Sequence, residues 1–313
     1  MTSSIRISFV VPVFNSERSI GLVVDRIRET FTGTPIQILL VNDGSHDASE
    51  ATCRRIQADY SESVEYVELS RNFGEHAAVL AGLARCRGRY VAVLDDDGQN
   101  PPEEIPRMLD HLIAFQFDVV YGRYVGRKHS YWRRLGSWVN DRVANILLSK
   151  PRGIYLSSFK IMSDFLVQEI VEYKGPFPYI DGLICRTTQR IGQIDVLHSG
   201  RLAGASNYTL RRLIRLWLNM ALGFSIVPLR VGVFIGFLAA LASCIWLAVI
   251  IMEKVWLNPE VAVGISSVLA TISFFAGVQL ILLGVMGEYV GRTFLSTNGM
   301  PQYIVRYQSG GVE

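Results

Sequence analysis

Two long stretches of this 313-residue chain carry no charged side chain, one between Arg230 and Glu253 and one between Glu260 and Glu288. At about 1.5 Å per residue the first extends roughly 33 Å as a helix, enough to cross a hydrocarbon core of about 30 Å. The second is longer and can tilt. Helices buried in a soluble core keep a polar stripe, so two runs without one predict a two-helix transmembrane domain over residues 230–290. Up to Gln193 charges recur every few residues, which divides the chain into a soluble part and an apolar part.

Both runs lie far from the N-terminus, which opens with Ile5-Arg6-Ile7-Ser8-Phe9 rather than a basic and then apolar leader. Arg211, Arg212, Arg215 and Arg230 precede the first run, Arg292 and Arg306 follow the second, and the connection holds only Lys254. That asymmetry predicts a multi-pass protein of the cytoplasmic (inner) membrane with both chain ends and the soluble domain cytoplasmic. Residues 208–229 set Arg211, Arg212 and Arg215 beside Leu213, Ile214, Trp217, Leu218 and Met220, an amphipathic helix suited to the interfacial plane of a lipid bilayer. Residues 291–313 are expected to be an exposed cytoplasmic tail. Gly232, Gly236, Gly277 and Gly284 leave packing against a second copy open, as in a homo-oligomer. Cys53, Cys86, Cys185 and Cys244 are scattered without a CxxC pair, which fits small core residues in a reducing compartment.

Residues 1–207 read as one α/β domain. Apolar, β-branched runs at residues 5–13, 36–41, 64–69 and 90–94 alternate with stretches of helical spacing such as residues 16–30. Strands separated by helices imply right-handed crossovers and a largely parallel sheet covered on both faces. Polar residues follow the strands: Asn15 and Glu17 after the first, Asn42 and Asp43 at the second, residues 95–99 after the fourth. In such a sheet the ligand crevice lies at those carboxyl ends.

The densest chemistry is Val93-Leu94-Asp95-Asp96-Asp97-Gly98-Gln99-Asn100-Pro101-Pro102. Three acids at a strand end repel one another unless a cation is present, and a hard divalent ion held by carboxylates and phosphate oxygens relieves the repulsion. Asp95 and Asp97, at alternating positions, can face one ion. An acidic turn is the bland alternative, because Asp, Gly, Asn and Pro all favour turns. Between residues 118 and 145, Arg123, Arg127, Lys128, Arg133, Arg134 and Arg142 interleave with Tyr121, Tyr124, Tyr131, Trp132 and Trp138. Guanidinium groups grip phosphate bidentately, and the aromatics suit a bilayer interface. The apolar runs hold this surface against a membrane, so nucleic acid is not expected as a partner. His46, His76, His111, His129 and His198 show no metal-ligand spacing.

Val10-Val11-Pro12-Val13-Phe14-Asn15-Ser16-Glu17, Leu40-Val41-Asn42-Asp43-Gly44-Ser45 and the Asp-rich loop together resemble the nucleotide-sugar domain of glycosyltransferase family 2. That family has the GT-A fold, a Rossmann-like and mostly parallel sheet, and its DxD motif falls on Asp95-Asp96-Asp97. Asp97-Gly98-Gln99-Asn100-Pro101-Pro102-Glu103, the Arg-rich segment and the two apolar runs resemble its polyprenyl-phosphate branch, the dolichyl-phosphate mannose synthases and bacterial undecaprenyl-phosphate sugar transferases. The resemblance implies transfer of a sugar from a nucleoside-diphosphate sugar, UDP-linked in many bacterial relatives, to a polyisoprenyl phosphate such as undecaprenyl phosphate.

It also implies residue roles. Pro12, Asn15 and Glu17 would line the nucleoside pocket, Asp43 would hydrogen-bond base or ribose, and Asp95 and Asp96 would belong to the donor site. Asp95, Asp97 and Gln99 would hold Mg²⁺ or Mn²⁺. Arg123, Arg127, Arg133 and Ser137 would take the acceptor phosphate, with Asp97, Arg123 and Arg133 as the residues on which catalysis rests. Residues 70–74 would close one side of the pocket, Arg201, Ser206 and Tyr208 would form a gating loop, and Asp181 would meet donor sugar hydroxyls; a plain turn at 70–74 and a plain linker at 201–208 fit equally well.

Many family members carry an acid in the segment matching Tyr155-Leu156-Ser157-Ser158-Phe159-Lys160, and this chain has none there. That departure favours direct attack by an already anionic phosphate, with inversion and without a carboxylate base. Two alternatives stand beside this reading. One is a family 2 transferase acting on another acceptor, against which the small number of spans and the lack of a QxxRW pattern argue. The other is an inactive transferase-like membrane scaffold, which replacement of Asp97 by Ala distinguishes.

Overall fold

The four apolar runs form adjoining strands: β1 (Ile7–Val13), β2 (Ile36–Asn42), β3 (Val64–Leu69) and β4 (Tyr90–Val93). All four are buried along nearly their whole length, as strands covered on both faces must be. The structure, a computed structural model, describes residues 6–124, 153–196, 227–252 and 264–309. Four further strands, β5 (Val119–Tyr124), β6 (Lys160–Ser163), β7 (Ile191–Val196) and β8 (Val305–Gln308), complete a sheet of order β7-β5-β6-β4-β1-β2-β3-β8. β1 pairs in parallel with β2 and β4, β2 with β3, and β5 with β7; β6 runs antiparallel between β4 and β5, and β8 antiparallel along β3.

Helices α1 (Ile20–Thr30), α2 (Ser49–Asp59), α3 (Glu75–Leu83) and α4 (Ile105–Ala114) connect or follow the parallel strands, and α5 (Asp164–Val171) and α6 (Ile180–Thr187) separate β6 from β7. Ile20, Val23, Val24 and Ile27 place an apolar stripe of α1 in the core, and Ile105, Met108, Leu109 and Leu112 do the same for α4. From Ala77 to Leu83 every residue of α3 is buried, so this helix is a filling of the core rather than a surface cover. A side chain at Gly82 would meet Val10 Cγ1 at 2.5 Å, which explains how α3 lies so close on β1.

The chain moves outward through β1, β2 and β3 and then returns to β4 on the other side of β1. That reversal opens a crevice at the carboxyl ends of β1 and β4. β6 runs the opposite way, with Lys160 opposite Val93 and Tyr121, so its first residues stand at the same edge.

The chain divides into two units, Met1–Leu213 with Gly299–Glu313, and Ile214–Asn298. The second contains α7 (Val227–Met252) and α8 (Ile265–Thr297). Within α8, Phe274–Thr297 has mean hydropathy 1.5 and is long and apolar enough to cross a membrane; Leu229–Ala239 in α7 is a shorter apolar stretch. Phe237, Phe274, Leu280 and Ile281 are exposed, and Gly232 lets Leu282 approach α7.

One expectation is corrected. The segment after Thr297 is not a free tail, because residues 305–308 add β8 to the sheet and Ser309 is buried. Tyr66 N–H donates to Ser309 Oγ at 2.7 Å, and Gln302 Nε2 donates to the Tyr173 and Gly175 carbonyls. Turn residues at 298–302 signalled an end of the helix, but a four-residue edge strand leaves too short a pattern to read. The interfacial helix expected at residues 208–229 falls almost wholly outside the described residues.

Candidate active site

Asn15, the first turn beyond β1, has φ 55°, a left-handed conformation rare for a residue with a side chain. Its amide donates to Ser45 Oγ at 3.1 Å and its Oδ1 accepts from His46 N–H at 2.8 Å, which ties the β1 turn to the β2 turn. Glu17 continues the tie by accepting from Ala48 N–H at 3.0 Å. Pro12 lies within β1 opposite Val41 and sets the approach to this turn.

Asp43 is buried, and its two carboxylate oxygens accept from Phe73 N–H at 2.7 Å and Gly74 N–H at 2.9 Å. Burial raises its carboxyl above the ordinary range, and those two amide donors pull it back. Asp43 thus fixes the turn that begins α3, a role the sequence did not signal. Gly44 has φ +65°, and a side chain there would meet Asn72 N at 2.6 Å, so the β2 and β3 turns touch through backbone.

From the β4 side, Asp96 Oδ2 accepts from Phe14 N–H at 2.9 Å and from the Ser16 hydroxyl. Asp95 Oδ2 accepts from Ser158 Oγ at 2.6 Å, and Asp97 Oδ1 accepts from the Gln99 amide at 3.0 Å. The three aspartates therefore stand together on the turn after β4, with Gln99 on the same turn. Burial first, and then neighbouring carboxylates, push Asp95 and Asp96 up to about 6 from 3.8. Burial is the larger cause, and Asp97 on the same turn adds a third carboxylate whose charge a cation would offset.

A divalent ion suits that donor set. Ions of this kind are held by one or two carboxylates together with phosphate oxygens. Among the described residues no three His, Cys, Asp or Glu side chains form a coordination array by themselves.

Several groups at this edge went unread in the sequence. Lys160 and Tyr121 are register partners on β6 and β5, and both reach Asp181 in the first turn of α6. Glu75 begins α3, and His76 packs edge-on against Tyr179 with ring centroids 4.8 Å apart. Glu75 is exposed, with protein close enough to strip part of its hydration. That desolvation raises its carboxyl against the opposing pull of Lys160. Burial pushes His76 down to about 4. Asn100 is buried; its Oδ1 accepts from the Tyr124 hydroxyl, and its Nδ2 has no acceptor among the described residues. Strand alternation at Tyr121 and Lys160 was the available signal, and it does not give their pairing with Asp181, a residue expected from the sequence to meet donor sugar hydroxyls and found bonded to these two side chains.

Arg123 lies on β5 paired with Asp195 of β7 at 2.6 Å, both half-exposed, so an anion would have to compete with that carboxylate. Arg127, Arg133, Ser137, Arg201, Ser206 and Tyr208 lie outside the described residues.

The model of glycosyl transferase family 2 matches residues 8–170, which run from the second residue of β1 to beyond β6 and hold every carboxylate of the Asp-rich turn. The chain belongs to glycosyltransferase family 2. Among similar family members, the undecaprenyl-phosphate 4-deoxy-4-formamido-L-arabinose transferase of Pectobacterium carotovorum subsp. carotovorum is 31% identical over 310 residues, 96% of this chain and 92% of the relative. The protein of that name from Aeromonas hydrophila subsp. hydrophila is 30% identical over 306 residues, 96% of this chain and 92% of its own. Glucosyl-3-phosphoglycerate synthase from Mycobacterium tuberculosis, solved with Mn²⁺, UDP and glucosyl-3-phosphoglycerate, shares the family 2 fold. Its TM-score is 0.51 at 19% identity, covering 69% of this chain and 77% of that one. The same enzyme with UDP alone gives TM-score 0.51 at 21% identity, covering 70% and 79%.

Proposed function

We propose that this family 2 glycosyltransferase moves a sugar from a nucleoside-diphosphate sugar, uridine-linked, to a polyisoprenyl phosphate, undecaprenyl phosphate in a bacterial membrane. The observation that carries the reading is the meeting of the β1 turn with the Asp-rich β4 turn, through Phe14 N–H and Ser16 on Asp96. That contact puts the nucleoside-side residues and the charge-bearing carboxylates in one crevice. Relatives named for transfer to undecaprenyl phosphate, similar over nearly their whole length, support the acceptor, and solved structures of the fold that contain Mn²⁺ and UDP support the donor.

In this reading Pro12, Asn15, Glu17 and Asp43 frame the nucleoside, and Asp95, Asp97 and Gln99 hold Mg²⁺ or Mn²⁺. The ion supplies Lewis-acid stabilisation of charge on the departing diphosphate. Asp96 joins the two turns that carry these groups. Arg123, Arg127, Arg133 and Ser137 receive the acceptor phosphate, and Arg201, Ser206 and Tyr208 gate the crevice. The acceptor phosphate is anionic at neutral pH, so it attacks the anomeric carbon directly and inverts it. Ser158 occupies the segment where relatives carry an acid, and it donates to Asp95 rather than taking a proton.

The described residues of the two uncharged runs are helical, 231–252 in α7 and 265–287 in α8, which we read as two spans that keep the crevice and both chain ends on the cytoplasmic face. Association of copies through Gly236, Gly277 or Gly284 has open space at those positions to use.

A donor screen tests the reading: purified protein, undecaprenyl phosphate and Mg²⁺ or Mn²⁺ with a panel of nucleotide sugars, product lipid read by mass spectrometry. At least one donor should yield polyprenyl-phosphate sugar; absence of lipid-linked product from every donor would reject it.

A further inference from the structure

Glu75 makes no hydrogen bond or ion pair among the described residues, although its place is closely built. Asp43 holds the N–H groups of Phe73 and Gly74, which fixes the turn leading into α3. The edge contact of His76 with Tyr179 sets this end of α3 against the start of α6, which carries Asp181. The cation within electrostatic reach of Glu75 is Lys160, and Lys160 is committed to the Asp181 carboxylate together with the Tyr121 hydroxyl. Asp95 and Asp96 also lie within reach of Glu75.

This corner of the crevice therefore offers an unspent carboxylate at Glu75. A second polar group is near: the buried Asn100 amide, whose Nδ2 meets no acceptor at full hydrogen-bond geometry and stands beside the Asp95 carboxylate, which the Asn100 side chain favours in its charged form. An acceptor and a donor of this kind match the hydroxyls of a sugar, and a site built to hydrogen-bond a ligand turns away ligands that leave its polar groups unpaired. The charge balance is one-sided as well. Among the described residues Lys160 is the cation set against Glu75, Asp95, Asp96 and Asp181, and a divalent ion on the aspartates would offset only part of that negative charge, so a further anion entering beside Glu75 meets repulsion.

We infer that Glu75 is a specificity-determining residue: it accepts a hydrogen bond from a hydroxyl or amino group of the transferred sugar and turns away sugars that carry a carboxylate. The inference rests on the reading of this crevice as a nucleotide-sugar site.

Equilibrium binding to the full chain in lipid nanodiscs with MnCl₂ tests it, using UDP, UDP-glucose and UDP-glucuronate as probes. The unmodified protein should bind UDP-glucose about tenfold or more tighter than UDP-glucuronate, and Glu75→Gln should shrink that preference by about tenfold while leaving UDP affinity within about twofold. UDP lacks the sugar, so its binding reports the integrity of the nucleoside pocket. An unchanged preference in Glu75→Gln, with UDP still bound, overturns the inference and leaves the donor reading intact. Loss of UDP binding together with a lowered melting midpoint in the variant assigns Glu75 a structural role and also overturns it. Failure of the unmodified chain to bind UDP at all removes the donor reading and the inference together.

Discussion

Lys160 Nζ and Asp181 Oδ1 form an ion pair in which the two side chains are 4% and 11% exposed. Tyr121 donates its hydroxyl to the same oxygen at 2.9 Å, so the pair joins β5, β6 and α6 at the crevice edge. Removing one member of such a pair strands a buried charge, which costs about 3–5 kcal/mol, whereas replacing both with apolar groups is often neutral. Lys160→Met should therefore lower stability to urea by roughly that amount, and Lys160→Met with Asp181→Leu should recover most of the loss. Equal stability of the single and double variants would show that the two charges are not coupled.

Asp97 Oδ1 accepts from the backbone N–H of Gln99, within its own turn. Its replacement by Ala should leave the fold in place while removing a charge from the donor site. Transfer should fall about 10³-fold in kcat, on the scale of losing a principal electrostatic contact to a transition state. Chelation by EDTA should abolish transfer in the unmodified protein, and added Mn²⁺ or Mg²⁺ should restore it; restoration without a divalent ion would contradict the assignment.

The raised carboxyls of Asp95 and Asp96 give stability a defined pH dependence. Burial raises both to about 6 from 3.8, so the folded state binds their protons more tightly than the unfolded chain does. Their contribution is complete below about pH 4 and is lost as pH rises through about 6. His76 has the opposite sign: burial lowers it to about 4 from 6.5, so its contribution grows as pH rises across that window. Two carboxyls outweigh one imidazole. In EDTA the melting midpoint should fall by about 2–4 °C between pH 5 and pH 7, the shift expected for a change near 1 kcal/mol, and Mn²⁺ should suppress the fall. A midpoint that rises over this interval in EDTA would rule the account out.

Ser309 provides the test of the returning C-terminal strand. Its hydroxyl accepts from Tyr66 N–H at 2.7 Å and donates to the Tyr66 carbonyl at 3.3 Å. Ser309→Ala leaves a buried amide without its partner and should cost about 1–3 kcal/mol in a denaturant melt. Deleting residues 299–313 should do more, because it uncovers the β3 edge and removes Gln302 from the Tyr173 and Gly175 carbonyls. Increased aggregation, read by light scattering, is the expected outcome; a monodisperse truncated protein of unchanged stability would count against β8 as an integral strand.

Much of this architecture was readable in advance, for a local reason. Val64–Leu69 coincides with the run assigned from its β-branched residues, and β1, β2 and β4 differ from expectation by a residue or two at their ends. Strand and helix periodicities are properties of short windows, and so are charge-free runs and an Asp-rich turn. The placement of Asn15, Asp43 and residues 95–99 at one edge also followed, because parallel strands joined by right-handed crossovers bring their carboxyl ends together.

Contacts across long separations were invisible. The Asp43 carboxylate serves the backbone of Phe73 and Gly74, thirty residues or so away, rather than standing free. The partnership of Tyr121, Lys160 and Asp181 depends on an antiparallel β6 that no periodicity announces. β8 pairs with a strand more than two hundred residues earlier in the chain, through four residues too few to show alternation. The amino-acid sequence by itself thus determined the alternating α/β elements, the charge-free segments and the acidic turn at a strand end. Tertiary structure alone decided which carboxylates are spent on backbone amides, which cation answers which acid, and which group, Glu75, keeps no hydrogen bond among the described residues. Hydrogen bonds and ion pairs are settled by distances between atoms, and those distances exist only once the sheet has closed.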